Sequence, residues 1–240
     1  MTIPDGGLPV PPRVRALAGG ADLVPVWLNQ LGGVTWRAGG RFIKHGPRHD
    51  EASMADEADR LAWAGRWTPV PEVVEQGESP DEEWLVTEAF GGESAVAPRW
   101  SAEPATAVRA IGAGLRALHD ALPVGECPFD WSVPSRLARA AARSIDVPAE
   151  LREPPSADRL VVCHGDACAP NTLLSEDGAW AAHVDLGSLG VGDRWADIAV
   201  SAMSLEWNYG PGWDDAFLEA YGIDPDPVRA AYYRNLWNAT

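Results

Sequence analysis

The sequence predicts an α+β protein of two lobes, a small β-rich N-terminal lobe with one helix and a larger, mainly helical C-terminal lobe. Three observations carry this reading. Most segments of alternating, β-branched and aromatic residues fall within residues 22–88. Phe90-Gly91-Gly92 then interrupts the pattern as a flexible joint. Beyond it, apolar residues recur at helical spacing except in a β-rich island near residues 160–184. The expected division is residues 1–90 and residues 91–240. A cleft between two such lobes is a usual place for a ligand.

The Pro/Gly-rich residues 4–12 read as a loose N-terminal arm. Residues 22–28 form a short apolar strand, and Gly32-Gly33 marks a turn. Residues 34–38 and 41–45 flank Gly39-Gly40 as a β-hairpin. A helix over residues 51–67 places Met54, Ala58, Leu61 and Ala62 on one face and ends before Pro69 and Pro71. Strands at 73–74 and 84–87 are joined by a polar turn over 77–81. In the second half, Pro104 opens a helix reaching residue 121, with Val108, Ile111, Leu115 and Leu118 as its apolar stripe. Further helices are expected over 135–145, 197–206, 213–221 and 227–237. In the island, residues 160–162 read as a buried strand, while 172–174 and 179–184 flank the turn Glu176-Asp177-Gly178.

The chain has 240 residues, of which 46% are hydrophobic, enough for a globular core. Its net charge of −16 argues against a nucleic-acid or anionic-membrane partner and is compatible with a cationic substrate. Simple solubility is the plainer account of that charge. Cys127, Cys163 and Cys168 contain no C-x-x-C pair, which points to reduced thiols rather than a disulfide framework or a zinc site. The N-terminus lacks a signal-like apolar stretch, and no run approaches the roughly 18 apolar residues of a membrane span. A soluble, cytoplasmic monomer or weak dimer is expected.

The strongest chemical signal is Cys163-His164-Gly165-Asp166-Ala167-Cys168-Ala169-Pro170-Asn171, followed by His183-Val184-Asp185-Leu186-Gly187. An Asp leaves an apolar strand, an Asn follows five residues later, and a second Asp precedes a Gly at another strand end. Phosphoryl transfer needs this arrangement. One carboxylate, Asp166, orients the acceptor hydroxyl, while hard oxygens from Asn171 and Asp185 hold Mg²⁺ against nucleotide phosphates. Either Asp166 or Asn171 alone would read as a turn residue. Lys44, at a strand end, has Glu57 thirteen residues on near a helix start, a phosphate-gripping pair in kinases. Alone, Lys44 is a solvated lysine, and Glu51 competes for the pairing role. Gly32 and Gly33, within Asn29-Gln30-Leu31-Gly32-Gly33-Val34, either bring backbone amides to phosphates or form a plain turn. In Gly192-Asp193-Arg194-Trp195-Ala196-Asp197, the acids either cap a helix or, through Asp197, hold the loop of Asp166. His164 reads as a scaffold residue, and His119 as a complement to the dipole of its helix.

At these residues the chain resembles the aminoglycoside phosphotransferase family, most closely its 3′-phosphotransferase branch. The resemblance lies in residues 161–168 with Asn171, and in 184–191 with Asp193-Arg194 and Asp197-Ile198-Ala199; weaker matches are Pro69-Val70-Pro71, residues 85–89, Leu118-His119 and Cys127-Pro128. It implies a bilobal protein-kinase-like fold with a nucleotide-binding lobe over 1–90 and a catalytic, substrate-binding lobe over 91–240. It further implies ATP (GTP left open) near Thr87 and Ala89, Mg²⁺ on Asn171 and Asp185, and Asp166 as catalytic carboxylate. The expected reaction is transfer of a phosphoryl group to a hydroxyl of a small molecule, an aminoglycoside or related amino sugar. Such a polycation calls for paired carboxylates, yet Leu236-Trp237-Asn238-Ala239-Thr240 holds no acid and Glu206-Trp207-Asn208-Tyr209 is aromatic and amide-rich. Glu206, Trp207, Asn208, Trp237 and Thr240 are the candidate substrate residues, and Glu126, Asp130, Asp214 and Asp215 are acids that would compensate. Two rivals follow: a kinase for a less cationic hydroxylated antibiotic or metabolite, and a catalytically silent nucleotide-binding module.

Overall fold

A computed structural model of the chain describes residues 7–29, 31–49 and 53–240. They form two compact units, one from the described residues up to 66 together with 70–90, the other from 67–69 and 91–240.

The first unit is built on a five-stranded antiparallel sheet: β1 (Leu23–Leu28), β2 (Val34–Ala38), β3 (Arg41–Pro47), β4 (Val73–Glu78) and β5 (Glu82–Glu88), in the order β1-β2-β3-β5-β4. Ala38 pairs with Arg41 across Gly39-Gly40, as a two-residue hairpin requires. Strand alternation sorts the two faces. Ile43 pairs with Val86, and both join Trp36, Ala38 and Trp84 in an apolar cluster closed by Val14 of helix α1 (Pro12–Ala18). Lys44 pairs with Leu85 and therefore faces the other way.

Residues 4–6 of the expected arm lie outside the described residues, 7–11 carry no helix or strand, and helix α1, which was not expected, begins at the arm's last residue, Pro12. Its signals are short but physical: Pro12 at the first helical position, Val14 and Leu17 on one face, and Gly19 in the left-handed conformation at its end (φ 57°). Helix α2 (Met54–Ala64) is shorter than the 51–67 expected, although Glu51 lies outside the described residues. The Ser53 side chain accepts the Asp56 amide and sets its start. Ala62, expected on the apolar face, is exposed, whereas Trp63 and Ala64 are buried. Strands β4 and β5 extend beyond the predicted 73–74 and 84–87 because their polar flanks also pair.

The second unit holds β6 (Glu93–Ser94), α3 (Pro98–Ala102), α4 (Pro104–Ala121), α5 (Val133–Ala142), β7 (Leu160–Cys163), β8 (Thr172–Leu174), β9 (Trp180–His183), β10 (Gly190–Asp193), α6 (Trp195–Tyr209), α7 (Asp214–Tyr221) and α8 (Pro227–Ala239). Its small sheets are β7 with β10, and β6-β8-β9. The stripe Val108, Ile111, Leu115 and Leu118 of α4 is buried as expected, and α6 is apolar almost all round. Leu160, expected to be buried, is 55% exposed because it begins a strand paired on one side only. Strand β10 was not expected. Its glycines are there for contact: a Cβ at Gly190 would lie 2.8 Å from the Asp130 carbonyl carbon. Among the described residues, no helix is long and apolar enough to cross a membrane.

Gly112 of α4 decides how closely α7 approaches. A Cβ there would stand 2.7 Å from the Phe217 carbonyl oxygen and 3.1 Å from the Tyr221 amide nitrogen. Alanine gains about 0.8–1.0 kcal/mol of helix propensity over glycine. Overpacking against a rigid backbone costs about 1–3 kcal/mol. Gly112→Ala is therefore expected to lower Tm, by roughly 2–4 °C per kcal/mol of net loss. A thermal melt with an unchanged or raised Tm would show that α7 is free to move aside.

Candidate active site

The loop after β7 is held by one face of α6. Asp197, Ser201 and Ser204 lie at i, i+4 and i+7, a spacing that aligns them along the helix. Asp197 Oδ2 accepts the His164 amide at 2.6 Å, and its Oδ1 accepts the Gly165 amide at 3.0 Å. The Ser201 hydroxyl donates to the Ala167 carbonyl at 2.7 Å, and Ser204 Oγ accepts the Ala169 amide at 2.9 Å. The loop is thus gripped at four of its residues. Of the two readings of the acids near residue 195, Asp197 takes the loop-holding one. Asp193 takes the structural one, accepting the amides of Trp195 at 3.0 Å and Asp158 at 2.8 Å.

The grip delivers Asp166. Gly165 turns the chain at φ 84°, where a Cβ would fall 2.2 Å from the Ser188 carbonyl oxygen, so only glycine fits. The His164 ring, fully buried, reaches the Val184 carbonyl with Nε2 at 3.0 Å and accepts the Asp166 amide at Nδ1 at 3.3 Å. Its contacts are those of a scaffold. Asn171 Nδ2 donates to the Asp166 backbone oxygen at 2.9 Å and to Asp166 Oδ2 at 3.2 Å. That orientation turns the Asn171 carboxamide oxygen away from Asp166. Pro170, at the first turn of the 3₁₀ segment Ala169–Asn171, fixes the approach. Asp185 follows β9 with φ 65°, an uncommon conformation for a non-glycine residue.

Asp166 Oδ1 is buried and meets no hydrogen-bond partner among the described residues. Burial pushes the Asp166 pKa up, and the Asp185 charge adds to it, against the opposing pull of Cys168, His164 and Asn171. An unpartnered buried carboxylate oxygen is costly to keep, and its natural complement is a hydroxyl donor.

Asn171 and Asp185 offer one amide and one carboxylate oxygen donor. No group of three His, Cys, Asp or Glu side chains suited to a metal occurs among the described residues. Mg²⁺ is commonly held by only one or two carboxylates, the remainder of its shell coming from phosphates and water. The hard-oxygen donors present therefore fit a magnesium ion carried on a nucleotide.

In the first unit, Lys44 Nζ meets Glu57 Oε1 at 2.6 Å and Oε2 at 2.8 Å, joining β3 to the start of α2. The glycine turn after β1 is tied internally. Asn29 Oδ1 accepts the amides of Leu31 at 3.0 Å and Gly33 at 2.7 Å, and Gly32 has φ 84°. Gly46 of β3 packs against this turn, since a Cβ at Gly46 would lie 2.7 Å from the Gly33 Cα. The expected approach of Gly33 to a phosphate would have to compete with Asn29; Gln30 lies outside the described residues. Thr87 sits within the ladder of β5, opposite Phe42 and Val73, and the Ala89 amide donates to the Gly40 carbonyl at 2.8 Å.

The candidate substrate residues are dispersed in role. Trp207 is 60% exposed, and Glu206 is exposed beside it. Asn208 Nδ2 donates back to the Ser204 carbonyl at 2.7 Å. Trp237 packs on Cys168, Val200 and Met203. Thr240 Oγ1 accepts from Arg136 Nη2 at 2.9 Å. His119 stands in the last turn of α4, as expected, and its ring is also engaged elsewhere in the unit. It is buried and bridges Tyr221 and Asp197, because it lies on the face of α4 that packs on α6 and α7, although Asp120 and Ala121 at the helix end are exposed. Ser201 and Ser204 escaped the sequence reading, although small polar residues at helical spacing after Asp197 in an apolar helix carried the signal.

A sheet-based unit with a strand lysine held by a helix glutamate, and a helical unit whose clamped loop presents an Asp, an Asn and a second Asp, define a phosphotransferase of protein-kinase-like fold. The chain belongs to the phosphotransferase enzyme family, whose profile matches residues 14–233. It is 40% identical to an aminoglycoside 3′-phosphotransferase of Streptomyces fradiae, over 81% of this chain and 84% of the relative. It is similar to the crystal structure of a type VIII aminoglycoside-3′-phosphotransferase, with 33% identity, a TM-score of 0.76, and coverage of 95% of this chain and 97% of that one. A further relative, aminoglycoside phosphotransferase APH(3″)-Id of Streptomyces rimosus solved with ADP and streptomycin, has 28% identity, a TM-score of 0.71, and coverage of 93% and 94%.

The raised pKa of Asp166 has a consequence for stability. A carboxyl whose folded pKa lies above its unfolded value holds its proton more tightly when folded, so ionisation opposes folding. That cost is absent below the ordinary value of 3.8 and complete above the raised one. Asp166→Asn removes it. Its Tm relative to wild type is expected to improve as pH rises through this window and to lose the improvement as pH falls below it. A Tm difference that is flat with pH would contradict the burial argument.

Proposed function

We propose that this chain transfers the γ-phosphoryl group of ATP to a hydroxyl of an aminoglycoside antibiotic or related amino sugar, at the 3′ position. The observation that carries the reading is the clamped loop, which holds the Asp166 carboxylate near Asp185 with its buried Oδ1 unpartnered. The family and the 40% identical relative support the acceptor class, and the net charge of −16 suits a polycation.

Asp166 Oδ1 accepts a hydrogen bond from the acceptor hydroxyl and aims its lone pair at phosphorus. As the new O–P bond forms and the bond to ADP breaks, the hydroxyl proton passes to Asp166, whose raised pKa suits that late transfer. Lys44, fixed by Glu57, grips the phosphates. Magnesium on the nucleotide would supply charge neutralisation, and Asn171 and Asp185 are the residues that would hold it. His164 and Asp197 keep the loop in place. Three free cysteines are consistent with a cytoplasmic setting.

A sequence observation favours a less cationic acceptor as the second reading: the candidate substrate segments 206–209 and 236–240 carry Trp207 and Trp237 and Glu206 as their one acid, where a polycation calls for paired carboxylates.

ADP release against a panel of aminoglycosides and uncharged hydroxylated antibiotics separates the two readings, with product mass checked for one added phosphoryl group. Turnover with aminoglycosides is expected; turnover confined to uncharged compounds would select the second reading, and none at all with nucleotide still bound would make the chain a silent module. Asp166→Asn is expected to bind ATP nearly normally and to lose about 10²-fold or more of kcat. Asp185→Ala and Lys44→Ala are expected to weaken Mg-ATP binding as well. Near-normal turnover in Asp166→Asn would overturn the mechanism.

A further inference from the structure

We propose that His119 and Tyr221 are positioning residues for phosphoryl transfer: together they hold the Asp197 carboxylate in the orientation from which it clamps the loop bearing Asp166. This rests on the reading of Asp166 given above.

Three helices meet at this point. His119 Nε2 lies 2.9 Å from Asp197 Oδ2, and His119 Nδ1 lies 2.8 Å from the Tyr221 hydroxyl. The three residues are 3%, 0% and 1% exposed, so water has no room to replace any link. A carboxylate only accepts, so Nε2 carries the proton and donates to Asp197. The Tyr221 hydroxyl, donor or acceptor to suit, fixes the other ring nitrogen and with it the ring orientation. The rings of His119 and Tyr221 also meet edge-on, with centroids 5.7 Å apart at 75°.

Asp197 has few ways to sit. Its Oδ2 serves both His119 and the His164 amide, and its Oδ1 serves the Gly165 amide. If the imidazole turns, Oδ2 loses a donor, the carboxylate rotates, and both amides shift. Asp166 is the next residue, and Gly165 has no slack against Ser188. The chain of contacts runs from α7 through α4 and α6 to the loop. Gly112 lets the α7 backbone approach α4 beside Tyr221, which brings its hydroxyl within reach. Misplacing a reacting group by about 1 Å costs roughly 10²-fold in rate, so a small rotation here is enough to matter.

Tyr221→Phe keeps the ring and its packing and removes only the hydroxyl. His119→Gln keeps an N–H that can reach Asp197, and His119→Leu keeps none. Two readouts decide. The first is amide hydrogen exchange at His164 and Gly165, which needs no turnover; it is expected to be faster in Tyr221→Phe and His119→Leu, and least changed in His119→Gln. The second is kcat at saturating ATP and aminoglycoside, expected to fall on the order of tenfold in Tyr221→Phe, and further in His119→Leu than in His119→Gln, with both KM values within about twofold of wild type. Unchanged exchange at His164 and Gly165 in Tyr221→Phe and His119→Leu would overturn the proposal whatever the activity. So would a lowered Tm with kcat at the wild-type level. Absence of turnover in the wild type would instead count against the proposed reaction, and the exchange measurement would still decide the clamp.

Discussion

The structure of the second unit depends on the carboxylate of Asp197. It is fully buried, yet its pKa lies below the ordinary value of 3.8. Burial pushes that pKa up, and the His119 hydrogen bond above all, with the neighbouring histidine rings and the Gly165 amide, brings it down further. A buried anion is tolerated only when its oxygens are filled, and here three donors converge on two atoms. The same satisfaction that makes the anion stable makes the loop rigid. Ser201 and Ser204 continue the grip along α6, so the backbone from residue 164 to 169 follows the register of one helix. Rigid presentation of Asp166 is what transfer by positioning and electrostatics requires.

Against that satisfied anchor, Asp166 is deliberately unsatisfied. One of its oxygens is buried without a partner, and Asp185 raises its proton affinity. The fold therefore satisfies the neighbouring backbone of His164 and Gly165 and leaves one oxygen of the carboxylate proposed to react unfilled. This is the usual sign of a site in which stability yields to function. The Lys44–Glu57 pair is the counterpart in the first unit, a cation held on the sheet face opposite the apolar cluster by the alternation of β3.

Much of this was legible in the sequence because its signals are local. The helix from Pro104 through Ala121 followed from a proline start and an apolar stripe, and the hairpin at Gly39-Gly40 from two adjacent glycines between β-formers. Asp166, Asn171 and Asp185 stood out because spacing at strand ends is visible without a structure. Less was legible where a residue's role is set by a distant partner. His119 looked like a helix-end residue until Tyr221, 102 positions away, and Asp197, 78 positions away, came into contact with it. Gly32-Gly33 reads equally as a phosphate-binding turn or a plain one, and the Asn29 side chain takes the Gly33 amide. Helix α1 escapes the sequence because it is only seven residues long and starts where a Pro/Gly-rich stretch ends, and β10 because glycines are poor strand formers that are needed there for close packing.

The proposed reaction requires Asn171 and Asp185 to hold the nucleotide's magnesium while Asp166 faces the acceptor. A crystal structure with magnesium, a non-hydrolysable ATP analogue and an aminoglycoside tests it most directly. The metal is expected about 2.0–2.1 Å from the Asn171 carboxamide oxygen and an Asp185 oxygen, with a substrate hydroxyl on Asp166 Oδ1. Nucleotide bound with its metal on other residues, or an acceptor hydroxyl placed away from Asp166, would contradict it.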